Sequence, residues 1–284
     1  DYMNTLTLTD ADFDSTGIYI GKTDISNFDG NLKIEANYAR FLESVKVTGY
    51  IAADGYIAAD GCIEAGDSIE AGDSIEAGDS IEAGDSIEAD DHIKAGSYIE
   101  AAGSIEALSY IEAAGSIKAG NSIKAGRYIA VDGCIEAGDC IDAGNSIKAG
   151  NSIKSGSYIE AAGYIEAGRY IKAGHYIKAG SYIEAGDSIE AGNSIKAGNS
   201  IKSGNSIKAD LTITCKELSA KWYIFAGVCT WKVPEESEAL ITCQKLINGT
   251  VAYGKLNIIE KKETLSCAGK VVEIDGKKYR LVEA

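Results

Sequence analysis

The carboxylates Glu64, Asp67, Glu70, Asp73, Glu76, Asp79, Glu82, Asp85 and Glu88 follow one another at every third position, with no base between them. Ordered carboxylates at short, even spacing can do one of two things. They can stand in for phosphates, since duplex DNA carries one charge per about 1.7 Å of axis. They can also simply keep a surface solvated and discourage association. Duplication of one acidic repeat would produce the same pattern. A second set of residues with recognition chemistry is Tyr158, Tyr164, Tyr170, Tyr176 and Tyr182, interleaved with Arg169, Lys172, His175 and Lys178. Aromatics among bases can hold single-stranded nucleic acid or a protein partner. Stacked aromatics also stabilise a sheet by cross-strand packing. Tyr158, Tyr164 and Tyr176 are the partner-binding candidates of this set.

Catalytic constellations are not legible. His92 and His175 are the two histidines and lie far apart along the repeats, so each reads as a surface variant of its position. No phosphate-binding glycine loop, zinc spacing or nucleophile elbow occurs. The seven cysteines (62, 134, 140, 215, 229, 243 and 267) are scattered, as free thiols in a reducing cytoplasm would be. A non-enzymatic protein without metal, cofactor or small-molecule substrate is the expectation.

These residues are positioned by a repeat. Isoleucine recurs at every sixth position from Ile51 to Ile207, 27 times in succession, in units of the form Ile-Glu/Lys-Ala-Gly-Asp/Asn-Ser. In Ser-Ile-Glu-Ala the side chains alternate, with Ile and Ala on one side and Ser and Glu or Lys on the other. Gly-Asp, Gly-Asn and Gly-Ser then turn the chain, glycine by admitting positive φ and Asx by bonding its own backbone. A period of six matches neither 3.6 nor 3.5, and glycine in nearly every unit disfavours helix by about 1 kcal/mol each. Three units make one turn of a triangular, all-β three-sided β-helix, with about 18 residues per coil. The repeats then form nine coils, roughly 43 Å long. The position that left-handed hexapeptide helices keep small is here mostly Asp, Asn, Ser or Arg, so a right-handed coil is the expectation.

Three parts follow along the chain. Residues 1–48 read as an N-terminal β cap, with Phe13, Phe28 and Phe41 large enough to plug the open coil. Residues 49–209 are the solenoid of hexapeptide repeats. Residues 210–284 read as a small C-terminal β domain, with Trp222, Tyr223, Phe225 and Trp231 forming a cap and small core, and with a closing hairpin turned at Asp275-Gly276. Asp1 and Tyr2, ahead of Met3, read as an added tag. No run of about 18 apolar residues could cross a membrane, and no leader is evident, so a cytoplasmic protein is expected.

Charge divides along the same axis. The net charge is −16; residues 61–117 hold 14 acids and one base, whereas residues 118–208 hold 9 acids and 11 bases. With three repeats per coil, Glu70, Glu88 and Glu106 occupy adjacent rungs of one face, and Glu64, Glu82 and Glu100 those of another. Like charges directly across strands destabilise, so stability alone would alternate Glu with Lys, as the later coils partly do.

The chain resembles three groups of solenoids. Pentapeptide-repeat proteins that imitate DNA share the acidic rod but have a period of five. Bactofilins are similar as cytoplasmic β-helices that polymerise end to end, and lack a segment like the C-terminal one here. Uncharacterised bacterial and phage proteins with IEAG/IKAG repeats resemble the chain over most of its length, including KWYIFAGVCTWKVPEESEALITCQKL (221–246). This last resemblance implies a mobile-element origin. It suggests an inhibitor of a host defence complex, of anti-CRISPR or anti-restriction type, whose partner is a basic, nucleic-acid-binding protein, with a homodimer through the C-terminal domain open. A structural scaffold or filament is the alternative, and a plain interaction module using the tyrosines a third.

Overall fold

A computed structural model describes residues 3–260, 271–274 and 277–280. Each repeat contributes a strand built on Ile-X-Ala, with Ile and Ala buried and X facing out. β-Branched isoleucine suits a pleated, half-buried surface, and every repeat isoleucine is fully shielded from solvent. Equivalent residues of successive coils pair in parallel and in register: Ile69 with Ile87 and Ile87 with Ile105 on face one, and Ile63 with Ile81 and Ile81 with Ile99 on face three. Face two carries Ile75, Ile93 and Ile111 in the same manner. The fold is an all-β parallel solenoid with about 18 residues per coil, as the hexapeptide period implies, and with no α-helix among the described residues.

The ladders run beyond the strict repeat at both ends. Face one is a 14-stranded sheet, giving about 13 turns and a rod of roughly 62 Å. At the N-terminal side Leu32 stacks on Ile51, Ala39 on Ile57 and Val45 on Ile63, so residues 31–47 already form a coil. Over it sits an aromatic cluster of Phe13, Tyr19 and Phe41, with Phe28 packed nearby. At the other side the isoleucine columns pass into Ile213, Ile241 and Leu256, into Leu218 and Leu246, and into Ile224 and Val251. Pairing is therefore continuous through residues 48 and 210. The ten-residue strand Glu217–Ala226 covers two faces and joins them into one 22-stranded sheet.

That strand corrects one expectation. Lys221, Trp222 and Tyr223 turn its corner, so Trp222 and Tyr223 are exposed, and Trp231 stands out on the following loop. They do not form a small core; Ile224 and Ala226 fill the interior there. The strands Val271–Ile274 and Lys277–Arg280 pair antiparallel. The Asp275-Gly276 turn, Asp1, Tyr2 and Cys267 lie outside the described residues.

The glycine corners also need a different explanation from the one given by turn chemistry. Positive φ occurs at Gly17, Gly30, Gly227, Gly249 and Gly254, all outside the repeats. Within the repeats glycine is required by stacking. A Cβ on Gly84 would lie 1.9 Å from the carbonyl oxygen of Gly66, and one on Gly138 the same distance from that of Gly120. Where Ala occupies this position, at 102, 114 and 162, glycine follows at 103, 115 and 163. The corner bond then stretches: Ala102 and Ala114 donate at 3.3 Å, while Gly84 and Gly96 donate at 3.0 Å.

Candidate functional site

The three faces do not present their carboxylates alike. On face three Glu64 is paired with Lys46 at 2.5 Å, Glu100 with Lys118 at 2.6 Å, and Glu82 accepts the Tyr98 hydroxyl. On face two Glu76 accepts a bond from His92 Nε2 at 2.9 Å. These glutamates are half-buried. On face one Glu70, Glu88 and Glu106 are exposed, stacked on consecutive rungs, and no Lys or Arg pairs with any of them among the described residues. The corners beside face one add Asp67 and Asp85 on one side and Asp73, Asp90 and Asp91 on the other, all exposed. Asp79 sits away from this group, on the corner between faces two and three.

Eight carboxylates therefore share three rungs: Asp67, Glu70, Asp73, Asp85, Glu88, Asp90, Asp91 and Glu106. Three rungs span roughly 14 Å, so the spacing is about 1.8 Å per charge, close to the ~1.7 Å of duplex DNA. The run ends at Ala52 above and Lys124 below. Of the candidates Glu64, Asp67, Glu70, Asp73, Glu76, Asp79, Glu82, Asp85 and Glu88, the fold distributes the glutamates over three faces, as the coil period implies. Asp90, Asp91 and Glu106 join this group, Asp91 with His92 Nδ1 at 3.1 Å, and their signal was the coil period of three repeats.

Two corners bordering this face break the glycine rule. Asp90-Asp91 and Leu108-Ser109 lie on successive rungs and contain no glycine. Leu108 is 71% exposed at a position where Asp90 precedes it and Gly126 follows it on the adjacent coils, and its backbone N–H donates at a stretched 3.3 Å. A local departure without a packing gain is characteristic of functional surfaces.

His92 follows Asp91 and is not the free surface variant that its position suggested. Its Nδ1 lies 3.0 Å from Ser74 Oγ and 3.1 Å from Asp91, and Glu76 holds Nε2. Its ring stacks at 4.5 Å on Tyr110, which stacks at 5.0 Å on Tyr128. The Ser-His-Glu contacts resemble a hydrolytic triad in composition, but Ser74 is 2% exposed, which shuts its hydroxyl from substrate. No group of three His, Cys, Asp or Glu side chains among the described residues is arranged to hold a metal ion.

From residue 118 onward several rungs compensate one another, although Asp142 still faces Glu160, Lys154 faces Lys172, Glu166 faces Glu184 and Lys178 faces Lys196. Lys154 pairs with Glu136, Lys178 with Glu160 and Lys202 with Glu184, each across adjacent rungs of one face. The candidate tyrosines stack by pairs at the corners, Tyr158 on Tyr176 at 5.0 Å and Tyr164 on Tyr182 at 4.9 Å. Two of their hydroxyls are engaged: Tyr176 donates to Glu160 and Tyr182 to Glu166. A hydrogen bond with Cys140, then burial, pushes the Tyr158 phenol above its ordinary range. Tyr170 stands apart on the corner leading into face three.

Comparison with known proteins finds no similar family model, no similar curated protein and no similar solved structure.

Proposed function

We propose that the protein acts as a nucleic-acid mimic, using the acidic face between Asp67 and Glu106 to occupy the phosphate-binding surface of a basic protein. The density of unpaired carboxylates on face one carries this reading. After residue 118 the same rod mixes acids with bases and pairs several of them across rungs, so the acidic stretch is a local feature of the repeat. A surface that binds phosphates with Lys and Arg gains the same long-range attraction from such a face. The two glycine-free corners beside it support a recognition role, with Leu108 offering an apolar anchor at its border. A defence complex that grips DNA or RNA is the proposed target, and the role is that of an inhibitor.

The experiment is survival of phage or plasmid in bacteria carrying single defence systems, with the protein and with its Glu70→Gln, Glu88→Gln, Glu106→Gln variant. The expected result is rescue in at least one strain, lost in the variant. Absence of rescue across the panel, or full rescue by the variant, overturns the reading. The scaffold alternative requires both ends of the rod to stack. The covering of the N-terminal coil by Phe13, Tyr19 and Phe41 weighs against head-to-tail growth.

A further inference from the structure

A second surface lies far from the acidic face, where the loop after Ala226 folds back along the corner between faces three and one. Trp231 and the corner residues Gly174, His175, Gly192, Asn193 and Asp210 line an open cleft of about 420 Å³ there. That size falls in the ~300–1,000 Å³ range of small-ligand clefts. Trp231 is 59% exposed, although residues nearby in sequence, such as Ile224, are fully buried. Lys232 stands over its ring at 5.2 Å and is itself held by Glu238, which braces the indole from its own loop.

The polar groups of the cleft keep hydrogen-bonding capacity to spare among the described residues. His175 uses Nδ1 toward Ser157 Oγ, and no partner among them meets its Nε2. The Asn193 side chain and the Trp231 indole N–H likewise have no hydrogen-bond partner there. The Asp210 carboxylate accepts no hydrogen bond from these residues; Lys208 approaches it only to 3.7 Å. The cleft therefore offers one aromatic wall, an amide, an imidazole nitrogen, an indole donor and one carboxylate. It has no concentration of bases for a phosphate. Its single acid is already shared with a lysine, which makes it a poor seat for a free cation.

This set fits a ring that is apolar on its face and hydroxylated at its edge. We propose that the Trp231 cleft is a carbohydrate-binding site that takes a pyranose unit. The C–H face of the sugar lies on the indole, which supplies large apolar area with a polar handle. Vicinal hydroxyls both donate and accept, so they match the Asp210 carboxylate and the Asn193 amide as a pair, with His175 Nε2 at the rim. Hydrogen bonds to a charged acceptor are the stronger ones, which makes Asp210 the main polar contact.

The test is intrinsic tryptophan fluorescence of the full chain titrated with methyl α-glucoside, methyl β-galactoside, N-acetylglucosamine and their short oligomers. The expected result is a saturable change with at least one sugar. It should vanish in Trp231→Ala, persist in Trp222→Phe, and weaken about tenfold in Asp210→Asn. Circular dichroism and the Trp222 signal keep the Trp231 variant interpretable, and Asn193→Ala provides a second variant within the rigid coil. No saturable response to any of these sugars rejects the site, as does a response that survives Trp231→Ala. A saturable response to tetramethylammonium alone reassigns the cleft to a cation and also rejects the sugar. The Gln variant of the acidic face should bind sugar unchanged, so this proposal and the mimicry reading succeed or fail separately.

Discussion

Glu70 and Glu88 lie directly opposite one another on adjacent strands of face one, both exposed and with no lysine or arginine on either among the described residues. In-register like charges at this distance cost roughly 0.2–1 kcal/mol per pair. Elsewhere several rungs set opposite charges against each other instead, as at Glu136 with Lys154.

The first prediction follows from that contrast. Changing Glu70, Glu88 and Glu106 together to Gln should stabilise the rod by about 0.5–1.5 kcal/mol at low salt, because two stacked repulsions are removed. The gain should shrink in high salt, where exposed charges are screened. Urea unfolding at low and at high sodium chloride measures both. A variant less stable than the wild type at low salt would contradict the assignment of face one.

Gly138→Ala should destabilise, since its Cβ would meet the Gly120 carbonyl at 1.9 Å. We expect a loss of at least about 1 kcal/mol, typical of forced steric shifts in packed regions. Adding Asp139→Gly converts the corner to the Ala-Gly form found at 102–103 and should recover most of the loss. A double variant no better than the single one would show that the displaced glycine is not what accommodates Ala.

Asp142 has its carboxyl raised above its ordinary value, first by burial and then by the charge of Glu160 on the next rung; Lys124 and Lys178 oppose this. A raised folded-state value means that the folded chain holds the proton more tightly than the unfolded chain. Stability from this group is then present at low pH and is lost as pH rises through the folded-state value. Asp142→Asn should therefore be more stable than the wild type at neutral pH. The difference should close as pH falls below the ordinary aspartate range. Paired thermal melts from pH 3 to 7, about the span of carboxylate titration, check the sign.

Burial pushes the Cys215 thiol up to about 12, and it raises that of Cys243 as well. A buried thiol kept protonated is a poor nucleophile. Both should resist a disulfide reagent in the folded protein at pH 8 and react on unfolding, while the half-buried Cys62, Cys134, Cys140 and Cys229 react before them. Rapid labelling of Cys215 in the folded rod, read by mass spectrometry, would contradict its inward placement.

Much of the fold was legible because the period of six is a direct imprint of geometry. Ile at the first strand position and Ala at the third can be continuous only if every strand shows the same face to one core. That alone gives the coil length, the parallel register and the stacking of Tyr158 on Tyr176. The end coils were harder to read. Ala39 and Val45 replace isoleucine at an unchanged spacing, and between Ile213 and Ile241 a loop lengthens the coil, which hides the same columns.

The sequence by itself determined that carboxylates would be stacked, because a strict repeat carries each side chain onto its copy one turn later. Only the tertiary structure decided which of them are unpaired. Lys46 reaches Glu64 and Lys118 reaches Glu100 from the flanking rungs, while on face one Ala52 offers Glu70 no charge and Lys124, though in register with Glu106, forms no ion pair with it. Charge pairing depends on which side chains become neighbours across one turn of the coil and how far each extends. The return of Trp231 to a corner built by residues 174–210 depends on a loop path that no period records.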